Sequence, residues 1–307
     1  MRDISGKSMS LRTATAKATL RLLPATILAV RRKKVPKGDP IPVAKIAAIQ
    51  AAKNTSQLIP YCHPLPVDFV DCLFSLGKNT ITANVEVKAT YKTGVEMEAL
   101  AAASAAVLTL YDMLKMIDDS MEITGIKLVR KTGGKSDFGR HGNRPSTAAI
   151  LIVSDSVSAR KAMDESGRLI KEVLLKEGFR VKSVKTVPDS MEKIRRSLIR
   201  FADRERLDLV VTTGGTGLGP RDITPEATAQ ALEREADGIP ETLRAFGQSR
   251  TPFSMLSRGK AGLRGKTLIV NLPGSPKAVR DSLSAMFPAV HHAFMMIAGG
   301  GHGKRTR

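Results

Sequence analysis

The sequence predicts a two-domain protein in which an α+β domain is followed by an α/β domain. The chain has 307 residues, more than the roughly 100–200 of an average domain. Residues 132–146 are rich in glycine and basic residues and lack hydrophobic periodicity, which is typical of a connection between domains. Because the halves on either side are patterned differently, we place domains at residues 1–137 and 147–307, joined by a linker at 138–146.

The first half contains both helical and strand patterns. Apolar residues recur with helical spacing over residues 43–52 and over the Ala/Leu-rich residues 98–117. Residues 80–90 alternate between apolar and polar, as a half-buried strand does. These patterns favour helices layered on a sheet, and hence the α+β class.

The second half repeats the order of a strand followed by a helix. Because this order is typical of parallel sheets, we predict an α/β domain whose ligands bind at the carboxyl ends of its strands. The predicted strands are residues 148–153, 207–212 and 268–272, and the predicted helices are residues 164–177, 225–235 and 275–286.

Composition excludes several classes of protein. Hydrophobic residues make up 42% and charged residues 25% of the chain, which is typical of a globular rather than a disordered protein. No uninterrupted apolar run approaches the roughly 18–20 residues of a membrane span, and the N-terminus lacks the features of a secretory signal. We therefore expect no membrane segment and a cytoplasmic location. Cys62 and Cys72 supply neither a disulfide framework nor paired metal ligands.

The formal net charge of +20 first suggests a nucleic acid partner. The basic residues are spread over both halves, however, and aromatic residues, which stack on single-stranded bases, are only 4% of the chain. Anionic small substrates account for part of the charge, so we do not expect a nucleic acid partner. A basic RNA-binding protein is the remote alternative, which steep salt-dependent RNA binding without enzymatic turnover would identify.

Acidic and basic side chains lie close together around the Ala-rich helix of the first half. Asp112 and Lys115 are three residues apart and share a helix face, and Glu96 and Glu98 would share a face in an extended entry. A lysine beside a carboxylate can transfer protons, and a charged lysine can bind phosphate. The alternative is an exposed ion pair. His63, in a proline-flanked loop, is likewise either catalytic or an ordinary polar residue.

Several short motifs of the first half occur in a fixed order. They follow Asp3-Ile-Ser5 and are Lys37-Gly-Asp39, Ala51-Ala-Lys-Asn-Thr55, Leu58-Ile-Pro-Tyr-Cys-His-Pro-Leu65, Lys92-Thr-Gly-Val-Glu-Met-Glu-Ala-Leu100, Tyr111-Asp-Met-Leu-Lys115 and Lys131-Thr-Gly-Gly-Lys-Ser136. In this order they resemble the cyclic pyranopterin monophosphate synthase family of molybdenum cofactor biosynthesis (MoaC type), over residues 1–137. Several ordered motifs make a chance match improbable in a way that a single motif does not.

That resemblance implies an antiparallel sheet with helices. It also implies rearrangement of 3',8-cyclo-7,8-dihydroguanosine triphosphate into cyclic pyranopterin monophosphate, with loss of pyrophosphate and without a cofactor. The matching catalytic positions are Lys37, Asp112, Lys115 and Lys131, and the matching substrate-binding positions are Tyr61, Cys62, His63, Glu96, Met97 and Glu98. The sequence departs from the family at Tyr61, where leucine is usual, and at Lys45, where arginine is usual. The second change removes any bidentate phosphate contact, which puts substrate affinity at that point in doubt.

A glycine-rich loop follows a predicted strand in the second half. Residues 208–226 predict a strand, the loop and a helix start, with Thr224 as N-cap and Pro225 in the first turn. Such a loop exposes backbone N–H groups to phosphate. It matches neither the Walker pattern nor the dinucleotide fingerprint, and a structural turn is the alternative. A second loop, residues 271–278, places Ser275 as the cap of a helix opened by Pro276.

The two loops occur with further motifs in a fixed order. These are Val153-Ser-Asp-Ser156, Pro188-Asp189, Gly238-Ile-Pro-Glu-Thr-Leu-Arg244 and Leu256-Ser-Arg258. Over residues 147–298 the pattern resembles the molybdopterin-binding family that includes molybdopterin adenylyltransferases (MoaB/MogA type). The resemblance implies a mostly parallel sheet, the molybdopterin-binding fold.

The second resemblance also implies site residues. The pterin phosphate would be held by Thr213, Gly214, Gly215, Thr216, Gly217 and Ser275. Asp189 and Asp222 match positions tied to adenylyl transfer, and Mg²⁺ would arrive with ATP near Asp222 and Glu241. The alternative for Asp222 is an exposed acid near a helix start, and the alternative for Asp189 is a turn residue. We favour the functional interpretation of both, more so for Asp222 because it lies directly in the anion-binding loop. The alternative function is a non-catalytic molybdopterin carrier or assembly scaffold.

Together the resemblances imply a bifunctional enzyme of molybdenum cofactor biosynthesis. Its expected partners are small pterin and nucleotide substrates. Both families resemble symmetric oligomers, so we expect a homo-oligomer, a trimer or a hexamer.

Overall fold

The computed structural model describes residues 1–134, 146–158, 164–287 and 289–299. The chain divides into two compact units, Met1–Asp137 and Phe138–Arg307. The predicted linker at 138–146 lies, apart from Ser146, outside the described residues.

The N-terminal unit is a four-stranded antiparallel sheet with helices, as predicted. Its strand order is β2-β3-β1-β4, and each neighbouring pair is antiparallel. In chain order the elements are β1 (Ser10–Arg21), α1 (Pro24–Arg31), α2 (Pro40–Lys53), α3 (Thr55–Leu58), β2 (Phe69–Leu76), β3 (Thr80–Tyr91), α4 (Glu96–Leu114) and β4 (Glu122–Thr132).

Small side chains let α4 approach the sheet closely. Along β1 every second residue is buried, and three of these are alanines, Ala14, Ala16 and Ala18. Helix α4 packs on β1, β3 and α2 and contributes buried alanines of its own, including Ala99 and Ala103. The core of this unit therefore lies between α4 with α2 and one face of the sheet.

Helix α4 is long and apolar enough to cross a membrane by length and composition, with a mean hydropathy of 1.3 over its apolar window. Half of that window is buried. Its buried residues form the core just described, which accounts for its apolar character.

The boundaries of α4 differ from the predicted 98–117. The helix begins at Glu96 and ends at Leu114, where the N–H groups of Ile117 and Asp118 both fold back on the Leu114 carbonyl. The Asp118 carboxylate then accepts the N–H groups of Leu23 and Ser120, so the chain turns away from the helix.

The C-terminal unit has a six-stranded, mostly parallel sheet, as predicted. The order is β6-β5-β7-β10-β9-β8, in which the first four strands are parallel and the last two pair antiparallel. Its elements are β5 (Thr147–Val153), α5 (Asp155–Ser158), α6 (Glu165–Lys176), β6 (Arg180–Val187), α7 (Met191–Ile199), a π-helical turn (Arg200–Arg204), β7 (Leu209–Thr213), α8 (Thr224–Ala229), β8 (Arg234–Glu235), α9 (Gly238–Gln248), a 3-10 helix (Pro252–Leu256), β9 (Ala261–Arg264), β10 (Thr267–Leu272), α10 (Pro276–Met286) and α11 (Ala289–Ile297).

Both faces of this sheet are covered. Along β5, Ile150 belongs to the core cluster that includes residues of α6 and α10, whereas the next residue, Leu151, belongs to the cluster that includes residues of α7 and α8. Alternate residues therefore point into two cores, which explains the continuous apolar run of the strand.

The predicted helix 225–235 is wrong at both ends. It spans only Thr224–Ala229, because Arg234–Glu235 form β8 against β9. Thr224 is not the N-cap either. Ile223 occupies that position, and the Thr224 hydroxyl donates to the Gly214 carbonyl at 2.9 Å. The hydroxyl thus ties the helix start to the glycine loop. Ser275, by contrast, caps α10 as predicted, accepting the Ala278 N–H at 3.4 Å.

Candidate functional site

Lys37, Asp112 and Lys115 form one cluster in the N-terminal unit. Lys37 Nζ lies 3.0 Å from both the Asp112 carboxylate and its main-chain carbonyl, and Lys115 Nζ lies 2.8 Å from the other carboxylate oxygen. All three side chains are exposed. Asp112 and Lys115 are thus an ion pair on one helix face, and the structure adds Lys37 from a distant segment.

Local structure explains where Lys37 sits. Gly38, with φ of 92°, turns the chain, and the carboxylate of Asp39 then caps α2 by accepting the Ile41 N–H at 3.2 Å. Lys37 therefore leaves the turn immediately before α2 and reaches the C-terminal end of α4, where a cation also meets the negative end of the helix dipole.

Hydrogen bonds set the protonation of this cluster. Those from Lys115 and Lys37 hold the pKa of Asp112 below its usual value, and the Asp112 carboxylate raises the pKa of Lys115. These hydrogen bonds favour the charged forms of Asp112 and Lys115, so the two side chains form an ion pair that Lys37 joins from the other side of the carboxylate. Such an arrangement can bind phosphate oxygens and exchange protons.

A second pair joins two predicted site residues. Lys131 Nζ, on β4, lies 3.0 Å from Glu96 Oε1, at the start of α4. Two residues on, Glu98 is only 4% exposed, and burial raises the pKa of its carboxyl group, with Glu96 adding to the shift. Met97, between them, is exposed.

Tyr61, Cys62 and His63 lie in the turn after α3. Tyr61 is 78% exposed, whereas Cys62 and His63 are half-buried. Burial raises the pKa of the Cys62 thiol, and the nearby Glu98 charge raises it further. Within the described part of the chain, neither Tyr61 nor His63 hydrogen-bonds to the cluster of Lys37, Asp112 and Lys115.

In the C-terminal unit the glycine loop follows β7 at its carboxyl end. Gly214 and Gly215 have φ of 96° and 62°, which favours glycine at both positions. A Cβ at Gly214 would lie 2.2 Å from the Val153 carbonyl oxygen, and one at Gly215 would lie 3.1 Å from Asp189 Oδ1. The loop therefore passes against the ends of β5 and β6, close to one predicted catalytic acid.

Five predicted site residues line a cavity of about 620 Å³ beside this loop: Gly215, Thr216, Gly217, Asp222 and Ser275. The volume suits a small organic ligand. Thr213 and Gly214 lie behind it, where the Thr213 hydroxyl donates to the Pro273 carbonyl at 2.7 Å. The Thr213 hydroxyl thus ties the start of the loop to the segment that follows β10.

Asp222 faces the glycine loop from its far end. Its Oδ2 accepts the Gly219 N–H at 2.8 Å, and a Cβ at Gly217 would lie 3.0 Å from the same oxygen. Glu241, in the first turn of α9, is not among the residues that line the cavity. Among the described residues, no group of three His, Cys, Asp or Glu side chains could hold a metal ion. One carboxylate fits a Mg²⁺ that is carried mainly by nucleotide phosphates.

Asp189 is held by a reciprocal pair of hydrogen bonds. Its N–H donates to Asp155 Oδ1 at 3.0 Å, and its Oδ2 accepts the Asp155 N–H at 3.2 Å. Burial raises the pKa of Asp189, and the Asp155 carboxylate raises it further. Arg221 pairs with Asp155 at 2.6 Å. Asp189 therefore lies beside Gly215, on the β5 and β6 side of the loop, and is not among the residues that line the cavity.

Sequence reasoning gave no role to several residues of the cavity wall. Arg244 and Lys277 supply cations, Phe253 an exposed aromatic ring, and Asn271 a buried amide that donates to the hydroxyls of Thr212 and Thr228, each at 2.9 Å. Asn271 and Lys277 lie within the second loop, so their positions were visible, but the partners of Asn271 lie far away in the sequence.

Comparison with known proteins matches both units. The MoaC family model matches residues 1–134, and a model described as a probable molybdopterin binding domain matches residues 149–292. A cyclic pyranopterin monophosphate synthase of Limosilactobacillus fermentum is 45% identical over 150 residues, 48% of this chain and 91% of that protein. The crystal structure of the molybdopterin biosynthesis enzyme MoaB from Thermus thermophilus covers 50% of this chain and 97% of that one, with 47% identity and a TM-score of 0.48.

Two relatives match along almost the whole chain. A molybdenum cofactor biosynthesis bifunctional protein of Chlorobaculum tepidum is 44% identical over 98% of this chain and 96% of its own length. One from Synechococcus elongatus is 40% identical over 99% of both. Both family resemblances are thereby confirmed, and the chain belongs to the bifunctional molybdenum cofactor biosynthesis proteins, with a MoaC-family N-terminal half and a molybdopterin-binding C-terminal half.

Proposed function

We propose that the chain catalyses two reactions of molybdenum cofactor biosynthesis. The N-terminal half converts 3',8-cyclo-7,8-dihydroguanosine triphosphate into cyclic pyranopterin monophosphate and pyrophosphate. The C-terminal half adenylylates molybdopterin with MgATP. The observation that carries the proposal is the placement of Asp112 between Lys37 and Lys115, 3.0 and 2.8 Å from their ammonium groups.

The N-terminal cluster offers what the first reaction requires. Lys37 and Lys115 are exposed cations that a triphosphate can reach, and loss of pyrophosphate requires such charge neutralisation. Opening a purine-derived ring and building a pterin require proton transfers, which Asp112 and the lysines can supply. Lys131 pairs with Glu96 near the buried Glu98, at the other end of the 19-residue α4. At a rise of 1.5 Å per residue this pair is roughly 24 Å along the helix from Asp112, so we propose Lys131 as a second cationic position and not as a member of the cluster.

The C-terminal cavity supports the second reaction. Its wall combines the glycine loop, the N-terminus of α10 at Ser275 and the cations Arg244 and Lys277, which favour a phosphorylated ligand. Asp222 also lines the cavity, and its carboxylate is the kind of oxygen ligand that Mg²⁺ binds. When bound, Mg²⁺ would neutralise the nucleotide triphosphate while pyrophosphate leaves. Asp222 would hold it, and Asp189, beside Gly215, is the second acid that we assign to the reaction.

The deciding experiment measures the two pterin products directly on the full chain. Wild-type protein is incubated either with the cyclised dihydro-GTP or with molybdopterin, ATP and Mg²⁺, and cyclic pyranopterin monophosphate and adenylylated molybdopterin are each quantified. Pyrophosphate alone is ambiguous because both reactions release it. Asp222→Asn should abolish only adenylylated molybdopterin. Asp237→Asn, which removes an exposed carboxylate of the same unit outside the cavity, is the matched control.

Each outcome has a definite meaning. Formation of both products, with loss of the second in Asp222→Asn, supports a bifunctional enzyme. If no adenylylated product forms while molybdopterin still binds, the C-terminal half is a carrier or assembly scaffold. If cyclic pyranopterin monophosphate does not form either, the enzyme proposal fails for both halves. We further propose that the protein is cytoplasmic and forms a homo-oligomer. Light scattering of the purified chain would show whether the oligomer is a trimer or a hexamer.

A further inference from the structure

Arg258 binds both ends of the glycine loop. Its backbone N–H donates to the Thr216 carbonyl at 2.9 Å, and its Nε donates to the Gly217 carbonyl at 2.8 Å. Its two terminal nitrogens hydrogen-bond to the Asp222 carbonyl and the Glu226 carboxylate. The Arg258 side chain therefore joins Gly217 and Asp222 to the first turn of α8, while its backbone holds Thr216.

The position of Arg258 separates it from the ligand. Its neighbours Ser257 and Gly259 line the cavity, but Arg258 itself does not. Its charge is paired with Glu226, and its hydrogen bonds point at the loop rather than at the cavity. Any effect of Arg258 on a bound ligand must therefore pass through the loop and through Asp222.

The hydrogen bonds made at position 258 require an arginine side chain. The acceptors at Gly217, Asp222 and Glu226 lie in different directions, and a planar guanidinium has donors fixed in a fork that can meet all of them. A lysine has one flexible nitrogen and cannot close the same bridge. Without the bridge, the tip of the loop keeps the contacts between Gly219 and Asp222 and the ion pair of Arg221 with Asp155, but it loses the guanidinium link to α8.

We propose that Arg258 is a positioning residue for the C-terminal site, which fixes the glycine loop and the Asp222 carboxylate in one geometry. The proposal rests on the proposed adenylylation. A displacement of about 1 Å in a catalytic group lowers a rate by about 100-fold. Arg258→Lys should accordingly lower kcat for adenylylated molybdopterin by about 10- to 100-fold, with KM for molybdopterin changed much less.

Arg264→Lys is the matched control. Arg264, on β9, also joins distant segments, since it donates to both Asp203 oxygens at 2.9 and 2.7 Å and to the Ala231 carbonyl at 3.1 Å. It does not line the cavity. Arg264→Lys should therefore destabilise the unit to a similar degree as Arg258→Lys and leave kcat unchanged.

A second readout does not depend on turnover. Hydrogen exchange of the Gly219 amide, which donates to Asp222, should accelerate at least tenfold in Arg258→Lys and stay at the wild-type rate in Arg264→Lys. Arg258→Gln separates geometry from charge. Equal kcat losses in Arg258→Lys and Arg258→Gln support positioning, whereas retention of activity in the lysine variant alone indicates that only the charge matters and overturns the proposal.

The remaining outcomes are also decisive. A rise in KM for ATP or molybdopterin with unchanged kcat shows that Arg258 binds the ligand itself, which overturns the positioning role. Wild-type kcat in Arg258→Lys, or unchanged exchange at Gly219, overturns it as well. Absence of adenylylated product from the wild-type chain is different, since it rejects the proposed function, and the positioning role in that reaction falls with it.

Discussion

Lys37 donates to both the side chain and the main chain of Asp112, although the two residues are 75 positions apart in the sequence. The double contact fixes the ammonium group at the C-terminal end of α4, next to Lys115. Neither the turn at Gly38 nor the helix alone would bring two cations to one carboxylate.

The first prediction concerns these lysines. Because each supplies a cation and a proton donor at one place, Lys37→Gln and Lys115→Gln should each lower the rate of cyclic pyranopterin monophosphate formation by about 10²- to 10⁴-fold. The measurement is single-substrate kinetics on the full chain. Lys88→Gln is the control, since Lys88 forms an equally close pair with Glu86, at 2.8 Å, outside the cluster. Near-wild-type rates in both cluster variants would rule out this site.

The second prediction concerns the buried Glu98. Burial raises the pKa of this carboxyl group, so the folded protein holds the proton more tightly than the unfolded chain. The stabilisation that the protonated Glu98 contributes is therefore complete below the pKa of the unfolded chain. It is lost as pH rises through the pKa of the folded protein. Glu98→Gln, which cannot ionise, should be more stable than wild type at pH 7, with a difference that shrinks towards pH 4. Thermal unfolding across this range tests it, and a difference independent of pH would contradict it.

The third prediction concerns Asp118, which is 3% exposed. Its carboxylate accepts the Leu23 N–H at 2.7 Å, the Thr26 hydroxyl at 2.9 Å and the Ser120 hydroxyl at 2.7 Å. Burial alone would raise the pKa of Asp118, but these hydrogen bonds lower it overall. Asp118→Ala leaves the buried Thr26 hydroxyl and the part-buried donors of Leu23 and Ser120 without this acceptor. It should lower the free energy of unfolding by about 3 kcal/mol.

The control for Asp118 is the next residue. Asp119→Ala removes an exposed carboxylate and should change the free energy of unfolding by less than about 0.5 kcal/mol. Hydrogen exchange of the α1 amides in the full chain reports on the N-terminal unit by itself. It should be faster in Asp118→Ala than in Asp119→Ala. Equal exchange in the two variants would show that Asp118 does not anchor α1.

The fourth prediction concerns Gly214. An alanine there must adopt a φ of 96° and place its Cβ 2.2 Å from the Val153 carbonyl oxygen. At Gly265, φ is 55° and no atom lies within 4 Å of the added Cβ. Gly265→Ala should therefore lower the free energy of unfolding by about 1 kcal/mol through backbone strain alone. Gly214→Ala should lower it by clearly more and should also abolish molybdopterin binding. Denaturant unfolding and a binding titration measure the two effects, and equal costs would contradict the close contact.

Local signals in the sequence predicted much of the fold. Strict alternation predicted a strand at 80–90, where β3 spans Thr80–Tyr91, and Ser275 with Pro276 marked the start of α10 correctly. Helix 225–235 was overextended because Ala231 and Leu232 continue the apolar pattern of α8, whereas the pairing of β8 with β9 depends on residues about thirty positions further on. Long-range pairing leaves no local pattern to detect.

The candidate site was predicted unevenly for the same reason. The glycine loop and Ser275 were visible because glycine, proline and serine punctuate the chain locally. Helical spacing paired Asp112 with Lys115, whereas Lys37 was placed only through the family resemblance. Arg258 was part of a motif but received no role, since its acceptors at Gly217, Asp222 and Glu226 come from another segment. Lys45, doubted as a phosphate ligand, forms an ion pair with Asp71 at 2.9 Å.

Two ammonium groups share a single carboxylate in the cluster of Lys37, Asp112 and Lys115, so one positive charge is left over at an exposed site. A surplus cation attracts a multiply charged anion before any contact forms, and this attraction weakens over roughly 10 Å at 0.1 M ionic strength. The rate at which the N-terminal half encounters a triphosphate should therefore fall as ionic strength rises, so the salt content of its surroundings sets how fast that half captures its ligand.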